Sequence, residues 1–140
     1  MKRVAVVYWS GTGNTAAMAG LVAEGARSAG AEVTMFTAGA FDAGQVENFD
    51  AIAFGCPAMG AEELEESEFE PMFSACEQKL TGRPTALFGS YGWGDGEWMR
   101  LWEDRCAKAG IPLACGSVIC CEAPDDAGCA ACRRLGEGLV

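Results

Sequence analysis

Short apolar runs alternate with helical patterns along this chain, and this alternation restricts the possible fold more than any other feature. Several of the runs are continuously apolar, which is typical of parallel strands that are covered on both faces. The runs are residues 4–8, 33–36, 51–55, 85–89 and a broken last run, 111–114 followed by 118–121. We therefore predict an α/β fold: a doubly wound five-stranded parallel sheet in the order 2-1-3-4-5, with helices on both faces.

Helical segments are predicted between these runs from their apolar spacing. Three stripes share a helical face: Met18, Leu21, Val22 and Ala26; Phe69, Met72, Phe73, Cys76 and Leu80; Trp98, Leu101, Trp102, Cys106 and Ala109. A fourth segment opens with Pro124, Asp125 and Asp126 and carries Arg133 and Arg134 further on. That order matches the charge preference of the helix dipole. Residues 42–49 give the weakest helical signal.

Charge and histidine content exclude several classes of function. The chain has 10 basic and 20 acidic residues, a net charge of −10, which argues against binding to nucleic acid or anionic membranes and favours a basic protein partner. There is no histidine, which removes Ser–His and Cys–His nucleophiles, histidine zinc sites and histidine general bases. Binding a cofactor needs none of these groups.

The length of 140 residues predicts one domain, 1–140, with a substantial core. The apolar run at the amino terminus is too short for a signal peptide and has no cleavage-site pattern. No stretch approaches the length of a membrane span. We expect a cytoplasmic monomer.

The chain contains 8 cysteines, which we interpret as reduced thiols rather than a disulfide framework. Cys129 and Cys132 have the spacing of a metal or redox motif. Their place on the helical face of Leu135 favours the alternative, packing in the core. Cys120 and Cys121 close an apolar strand and are also expected to pack in the core. No metal site is predicted.

Three loops follow strands 1, 3 and 4, where a sheet of this order binds its ligands. They are residues 10–15, 56–62 and 90–96. The first, Ser-Gly-Thr-Gly-Asn-Thr, opens a helix with hydroxyls, an amide side chain and glycines, which is the chemistry of an anion site. It lacks the Gly-Lys-Ser/Thr of a Walker motif, and no basic residue lies between Arg3 and Arg27. A phosphate would be held there by neutral donors; the alternative is an ordinary capped helix start.

The other two loops present large side chains for a flat ligand. Trp93 stands among glycines at the end of strand 4, and glycine lets a ligand approach the backbone closely. Met59, in the loop after strand 3, has a polarizable thioether that packs well on aromatic faces. Gly60 beside it allows a turn with positive φ. Met59 and Trp93 could therefore enclose a planar ring.

The motifs in these loops resemble those of the short-chain flavodoxins of anaerobic bacteria. The matching segments are Ser-Gly-Thr-Gly-Asn-Thr, Ala-Met-Gly, Leu-Glu-Glu-Ser-Glu-Phe-Glu-Pro and Phe-Gly-Ser-Tyr-Gly-Trp-Gly-Asp-Gly. The resemblance extends along nearly the whole chain and is weakest after about Ile111. It implies a low-potential one-electron carrier with non-covalently bound FMN, cycling mainly between semiquinone and hydroquinone. It also implies basic-patch redox partners, such as oxidoreductases and hydrogenase- or ferredoxin-type proteins, and no catalytic residues.

The same resemblance assigns the cofactor-binding residues by position. The phosphate would be held by the first loop, with Ser90 as a helper; the loop residues are Ser10, Gly11, Thr12, Gly13, Asn14 and Thr15. Met59 and Trp93 would flank the isoalloxazine. The polar edge of the ring would meet the backbone of Gly60, Ala61 and Gly92, with Glu62, and Tyr91 would lie near the ribityl chain. Ala58 and Gly94 are also assigned to the cofactor site. In such proteins a peptide flips on reduction, and the Gly60 carbonyl then accepts a hydrogen bond from flavin N5–H, which stabilises the neutral semiquinone.

Two positions depart from the family pattern, and one acidic segment has two interpretations. Pro57 stands where relatives commonly have serine, and Ala61 where they commonly have aspartate. Ala61 therefore predicts a slightly higher second potential. The carboxylates of Glu62, Glu63, Glu65, Glu66, Glu68 and Glu70 are interpreted as a solvated loop and first helical turn, or as a negative rim that steers basic partners.

Four other functions are compared with this one. A response-regulator receiver needs an acidic cluster after strand 1, and a low-molecular-weight tyrosine phosphatase needs Cys-x5-Arg in its first loop; this chain has neither. A small FMN-dependent reductase of quinones or nitro compounds is the main alternative, and it needs open space over one face of the flavin. A thiol-redox or metal-binding protein is the most distant.

Overall fold

The computed structural model describes all residues, Met1–Val140. Its strands form one parallel five-stranded sheet in the order β2-β1-β3-β4-β5. They are β1 (Arg3–Tyr8), β2 (Glu32–Thr37), β3 (Ala51–Gly55), β4 (Thr85–Tyr91) and β5 (Val118–Cys121). The predicted fold class and strand order are confirmed.

Four α-helices connect or follow the strands: α1 (Asn14–Ser28), α2 (Phe69–Cys76), α3 (Glu97–Lys108) and α4 (Asp126–Gly138). The crossover from β2 to β3 has only two 3-10 helices, Ala38–Ala40 and Ala43–Asn48, in agreement with its weak helical signal. Two predicted helix positions differ. Leu80 lies beyond α2, after the 3-10 turn Glu77–Lys79, although it is fully buried. Leu101 points away from the core and is 52% exposed.

Only the second half of the broken last run is a strand. The first half contributes a single parallel bridge, between Leu113 and Thr85. Pro112 has no amide proton to donate to a ladder, and Gly116 interrupts the run, so pairing resumes only at Val118.

The sheet separates two cores of different composition. The face covered by α2 and α3 is aromatic: the Phe54 and Phe73 rings meet edge to face at 5.1 Å, and Trp102 packs edge to face on Phe69 at 5.5 Å. The face covered by α1 and α4 is built mainly from alanine and valine, with few large side chains. There the helices touch through glycine: a Cβ on Gly136 would lie 2.0 Å from the Val22 carbonyl oxygen.

All the cysteines are free thiols, and most of them pack as hydrophobic side chains. Cys132 is fully buried in α4, and burial raises the pKa of its thiol to about 12. Cys129 is half-buried. The prediction that Cys121 packs in the core with Cys120 is wrong, because adjacent strand residues face opposite sides of the sheet and Cys121 is exposed. No group of three or more His, Cys, Asp or Glu is arranged to hold a metal ion.

None of the helices is both long enough and apolar enough to cross a bilayer.

Candidate functional site

A cavity of about 550 Å³ lies at the carboxyl ends of β1, β3, β4 and β5. This volume is within the range of roughly 300–1,000 Å³ that is usual for small-molecule and cofactor sites. The predicted site residues that line it are Ser10, Gly11, Thr12, Asn14, Thr15, Ala58, Met59, Ser90, Tyr91 and Gly92. The tertiary structure thus brings together residues from all three predicted loops.

Four lining residues were not in the predicted set: Trp9, Pro57, Glu122 and Ala123. Trp9 directly precedes the first predicted loop and Pro57 lies within the second, so their position in the chain indicates them. Glu122 and Ala123 follow β5, whose carboxyl end shares the same edge of the sheet. The sequence prediction places the ligand at the ends of strands 1, 3 and 4; the same rule applied to strand 5 also includes Glu122 and Ala123.

The other predicted residues lie beside the cavity without lining it. Gly13 precedes α1 in a left-handed conformation, with φ 98°. Gly60, Ala61 and Glu62 form the loop after β3, and Trp93 and Gly94 lie between β4 and α3. The Trp93 side chain is 67% exposed. Enclosure of a ring between Met59 and Trp93 stays a prediction.

Hydroxyl groups organise the first loop and attach it to β4. The Ser10 Oγ accepts hydrogen bonds from the amides of Gly13 (3.1 Å) and Ala16 (3.2 Å), so it caps the start of α1. The Thr15 Oγ1 lies 3.0 Å from the Ser90 Oγ and also accepts from the Ser90 amide at 3.4 Å. Thr15 is 1% exposed and Ser90 5%. The loop is therefore held in place by the protein's own hydrogen bonds.

A tight turn follows β3 at residues 59–62. The Glu62 amide donates to the Met59 carbonyl at 3.0 Å, and the Met59 amide donates to the Glu63 carbonyl at 3.1 Å. The expectation of a positive φ at Gly60 is not met here; the residue with positive φ is Glu62, at 56°. A left-handed conformation costs a residue with a Cβ roughly 1–2 kcal/mol, so contacts of Glu62 must stabilise it.

The Glu62 side chain supplies that stabilisation by joining the turn to α3. Its Oε2 accepts a hydrogen bond from the Trp98 amide at 2.9 Å, in the first turn of α3. A carboxylate is favoured there by the partial positive charge of the helix start. A Cβ on Gly94, whose φ is 88°, would lie 2.6 Å from the Glu62 Oε1. The Met59 turn and the Trp93 loop are therefore packed against each other through Glu62.

The remaining carboxylates of the acidic segment have distinct environments. Glu70 forms an ion pair with Arg105 at 2.7 Å, and hydrogen bonds from Arg105 lower the pKa of its carboxyl. Glu63, Glu66 and Glu68 are exposed. Glu65 is only 5% exposed. The solvated-loop interpretation therefore holds for some of these residues and is wrong for Glu65.

Hydrogen bonds keep Glu65 ionised despite its burial. Its carboxylate accepts from the amides of Ser67 (2.8 Å), Glu68 (2.8 Å) and Phe69 (2.9 Å), and from the Ser67 hydroxyl. Burial alone would raise the pKa of Glu65, but these donors outweigh it and lower the pKa to about 2.

The chemistry of the cavity fits FMN. At the start of α1, amides and hydroxyls are available for a phosphate, and no Lys or Arg lines the cavity. Trp9, Ala58, Met59 and Tyr91 add apolar wall for a flat ring. An anion site formed by amides and hydroxyls next to an apolar slot suits a ligand with a phosphate tail and an aromatic head.

Comparison with known proteins identifies the family of this chain. Residues 6–136 match the family model described as flavodoxin. The chain is 46% identical to a flavodoxin from Megasphaera elsdenii over 98% of both chains. It is 45% identical to one from Clostridium beijerinckii over 87% of this chain and 88% of the relative. The solution structure of two-electron reduced Megasphaera elsdenii flavodoxin superposes with a TM-score of 0.90 and covers 97% of each chain.

Proposed function

The chain belongs to the flavodoxin family, and from that premise we propose that it is a low-potential carrier of single electrons. Flavodoxins bind FMN and transfer electrons rather than convert a substrate. We further propose that residues 1–140 form one domain and that its FMN is bound non-covalently. This FMN would work mainly between its half-reduced and fully reduced states. When bound, FMN supplies a ring system that takes up and releases electrons one at a time.

We propose that the phosphate is held by Ser10, Thr12, Gly13, Asn14 and Thr15, with Ser90 in support. The observation that carries this proposal is the buried hydroxyl pair of Thr15 and Ser90 beside a cavity that no cation lines. A phosphate held only by neutral donors keeps its charge, and the first loop is already shaped to receive it. This arrangement favours permanent binding of a phosphomonoester over transfer of its phosphoryl group.

The ring is proposed to lie between Met59 and Trp93. Support comes from Met59 in the cavity wall and from the exposed Trp93 indole in the neighbouring loop. The polar edge of the ring would meet the backbone of Gly60, Ala61 and Gly92 and the side chain of Glu62. Closure of both faces leaves no room for a substrate above the ring, which argues against a reductase.

A low potential follows from the charges around the cavity. Glu122 lines it, and Glu62 and Glu63 lie in the adjacent loop. Each carboxylate opposes the addition of negative charge to the cofactor, and no lysine or arginine in the cavity wall offsets it. The net charge of −10 acts in the same direction.

The same charges support the proposal of basic redox partners. Trp93 offers an exposed apolar contact, and Glu63, which follows the Met59 turn, offers an exposed carboxylate. Complementary charge speeds association with a basic protein. We further propose that the protein works as a monomer. The proposed location is the cytoplasm, where a protein so rich in free thiols stays reduced.

An anaerobic spectroelectrochemical titration of the FMN-loaded protein tests the proposal. We expect a yellow protein that takes up its two electrons at separate potentials, the second well below the first, and consumes little NAD(P)H with a quinone or nitro acceptor. Uptake of both electrons together, accompanied by rapid NAD(P)H consumption, would support the reductase instead. A preparation that binds no FMN would exclude both.

A further inference from the structure

The segment from Cys56 to Glu68 contains no helix or strand, although it carries several of the proposed ring contacts. Its conformation therefore depends on individual hydrogen bonds rather than on the repeated backbone hydrogen bonds of a helix or a sheet. Within it, the turn at residues 59–62 is closed by the pairing of Met59 with Glu62 and Glu63. The Glu62 carboxylate holds the turn to α3 on one side, and the rest of its position depends on how the two ends of the segment are fixed.

The two ends are fixed to each other and to the core. The Glu65 amide donates to the Cys56 Sγ at 3.3 Å, which closes the segment into a loop. Cys56 is fully buried, and its carbonyl accepts from the Trp98 Nε1 at 3.1 Å. The Cys56 end is therefore held by β3 and α3.

The Glu65 end is held by the Glu65 side chain. Its carboxylate accepts from three successive amides, those of Ser67, Glu68 and Phe69, and so fixes Glu65 to the residues that lead into α2. The Glu70 amide donates to the Glu65 carbonyl at 2.8 Å and adds a bond to the first turn of α2. Charge-assisted hydrogen bonds of this kind are stronger than neutral ones.

We propose that Glu65 is a positioning residue: its buried carboxylate fixes the end of the segment that leads into α2 and thereby holds the Met59–Glu62 turn against the bound cofactor. The inference rests on the proposed function, because it concerns the turn that would meet the FMN ring. Glu65 does not line the cavity and acts only through the backbone of the turn.

The neighbouring Glu66 provides a matched control. It is exposed, and Glu66→Gln removes the same charge from the next position in the chain. Glu65→Gln also removes an acceptor oxygen and places amide protons among the donor groups that the carboxylate satisfied. A purely electrostatic role of the segment predicts similar effects for both variants, whereas a positioning role predicts an effect of Glu65→Gln alone.

Three measurements on the FMN-loaded protein test the inference at a temperature well below unfolding. In Glu65→Gln we expect FMN to dissociate about tenfold faster than in Glu66→Gln, and the Met59 and Glu62 amides to exchange with deuterium about tenfold faster. The second midpoint potential of Glu65→Gln should also shift away from that of Glu66→Gln. If Glu65→Gln does not fold, Ser67→Ala, which removes one donor, should show the same effects in smaller degree.

The inference is overturned if Glu65→Gln lowers the melting temperature but leaves FMN dissociation, the two amides and the potential equal to those of Glu66→Gln. Glu65 would then only cap α2. If only Ser67→Ala can be measured, the inference is also overturned when its FMN dissociation rate, its Met59 and Glu62 amide exchange and its second potential all equal those of the wild type. Failure of the proposed function is a separate result, since the wild-type protein itself would then not bind FMN or take up single electrons.

Discussion

Two regions border the cavity, and they are built by different means. In the tail region, residues 10–15 with Ser90, two buried hydroxyl groups lie 3.0 Å apart and the Ser10 Oγ caps the helix that follows. In the ring region, residues 59–62 and 92–96, Trp93 is 67% exposed and Glu62 occupies a left-handed conformation. The tail region is fixed by local and buried bonds, whereas the ring region depends on carboxylates that reach to other elements. We infer that the tail region determines how tightly the cofactor is held and the ring region determines its potential.

We expect the largest effect from acid, which should loosen the ring region through Glu65, because its carboxylate fixes the segment that contains residues 59–62. The pKa of Glu65 is lowered to about 2 from its ordinary value of 4.5, so the carboxylate stabilises the folded state above pH 4.5. This contribution is lost as the pH falls through 2. The difference in free energy of unfolding between wild type and Glu65→Gln should therefore shrink across this window, as measured by urea unfolding at a series of pH values. A difference that does not depend on pH would contradict the assignment, and Glu66→Gln serves as the exposed control.

In the tail region, Thr15→Val should weaken both stability and cofactor binding. It leaves the buried Ser90 hydroxyl and amide without the Thr15 Oγ1, at a cost of about 2 kcal/mol. Urea unfolding and FMN titration measure the two effects. Thr12→Val is the control: Thr12 is exposed and lines the cavity, so this change should weaken FMN binding only. Equal stability of Thr15→Val and wild type would show that the hydroxyl pair does not fix the loop.

In the ring region, Gly94→Ala should destabilise the fold by about 1–2 kcal/mol, because Gly94 has a φ of 88°. Its new methyl group would also press on the Glu62 carboxylate. Gly92→Ala is the matched control, since a Cβ there meets nothing within 4 Å. Thermal unfolding compares the two variants. Similar melting temperatures would mean that the Trp93 loop adjusts freely and that Glu62 does not constrain it.

The salt dependence of electron transfer to a partner should respond to substitutions near the ring region and not to those in the tail region. Raising the ionic strength from 0.01 to 0.15 M shortens the Debye length from roughly 30 to about 8 Å. Electron transfer to a basic c-type cytochrome should then slow about tenfold. Glu63→Gln should reduce this dependence, and Thr12→Val should leave it unchanged, in stopped-flow measurements. A rate that does not depend on salt would contradict a docking role for the acidic ring region.

The smallest expected effect is that of restoring an aspartate at position 61. A charge about 10 Å from the ring, at an effective dielectric constant near 40, contributes about 0.8 kcal/mol, which corresponds to ~35 mV for one electron. Ala61→Asp should lower the second potential by this amount in a spectroelectrochemical titration, and Ala61→Asn controls for shape. An unchanged potential in Ala61→Asp would show that solvent screens this position completely.

The parts of the structure that were predictable from the sequence are those with a regular pattern of burial. Ala51–Gly55 was delimited correctly because every residue of a central parallel strand is buried. The two halves of the last run looked alike, yet only Val118–Cys121 pairs as a strand. Leu101 and Trp102 both fitted a helical stripe, and only Trp102 packs inward. Whether such a residue is buried depends on which other element packs against it in the fold, and the spacing of apolar residues in the sequence does not show this.

The order of residues along this chain was sufficient to determine its parallel sheet, its three ligand-type loops and its family, because strand burial and loop chemistry leave local patterns. The tertiary structure alone decided that Glu122 reaches the cavity, that Glu62 caps α3, and that Glu65 is buried while Glu66 is exposed. Adjacent glutamates have the same intrinsic chemistry. Their roles differ because the hydrogen-bond donors that face them come from other turns and helices, and these meet only when the chain is folded.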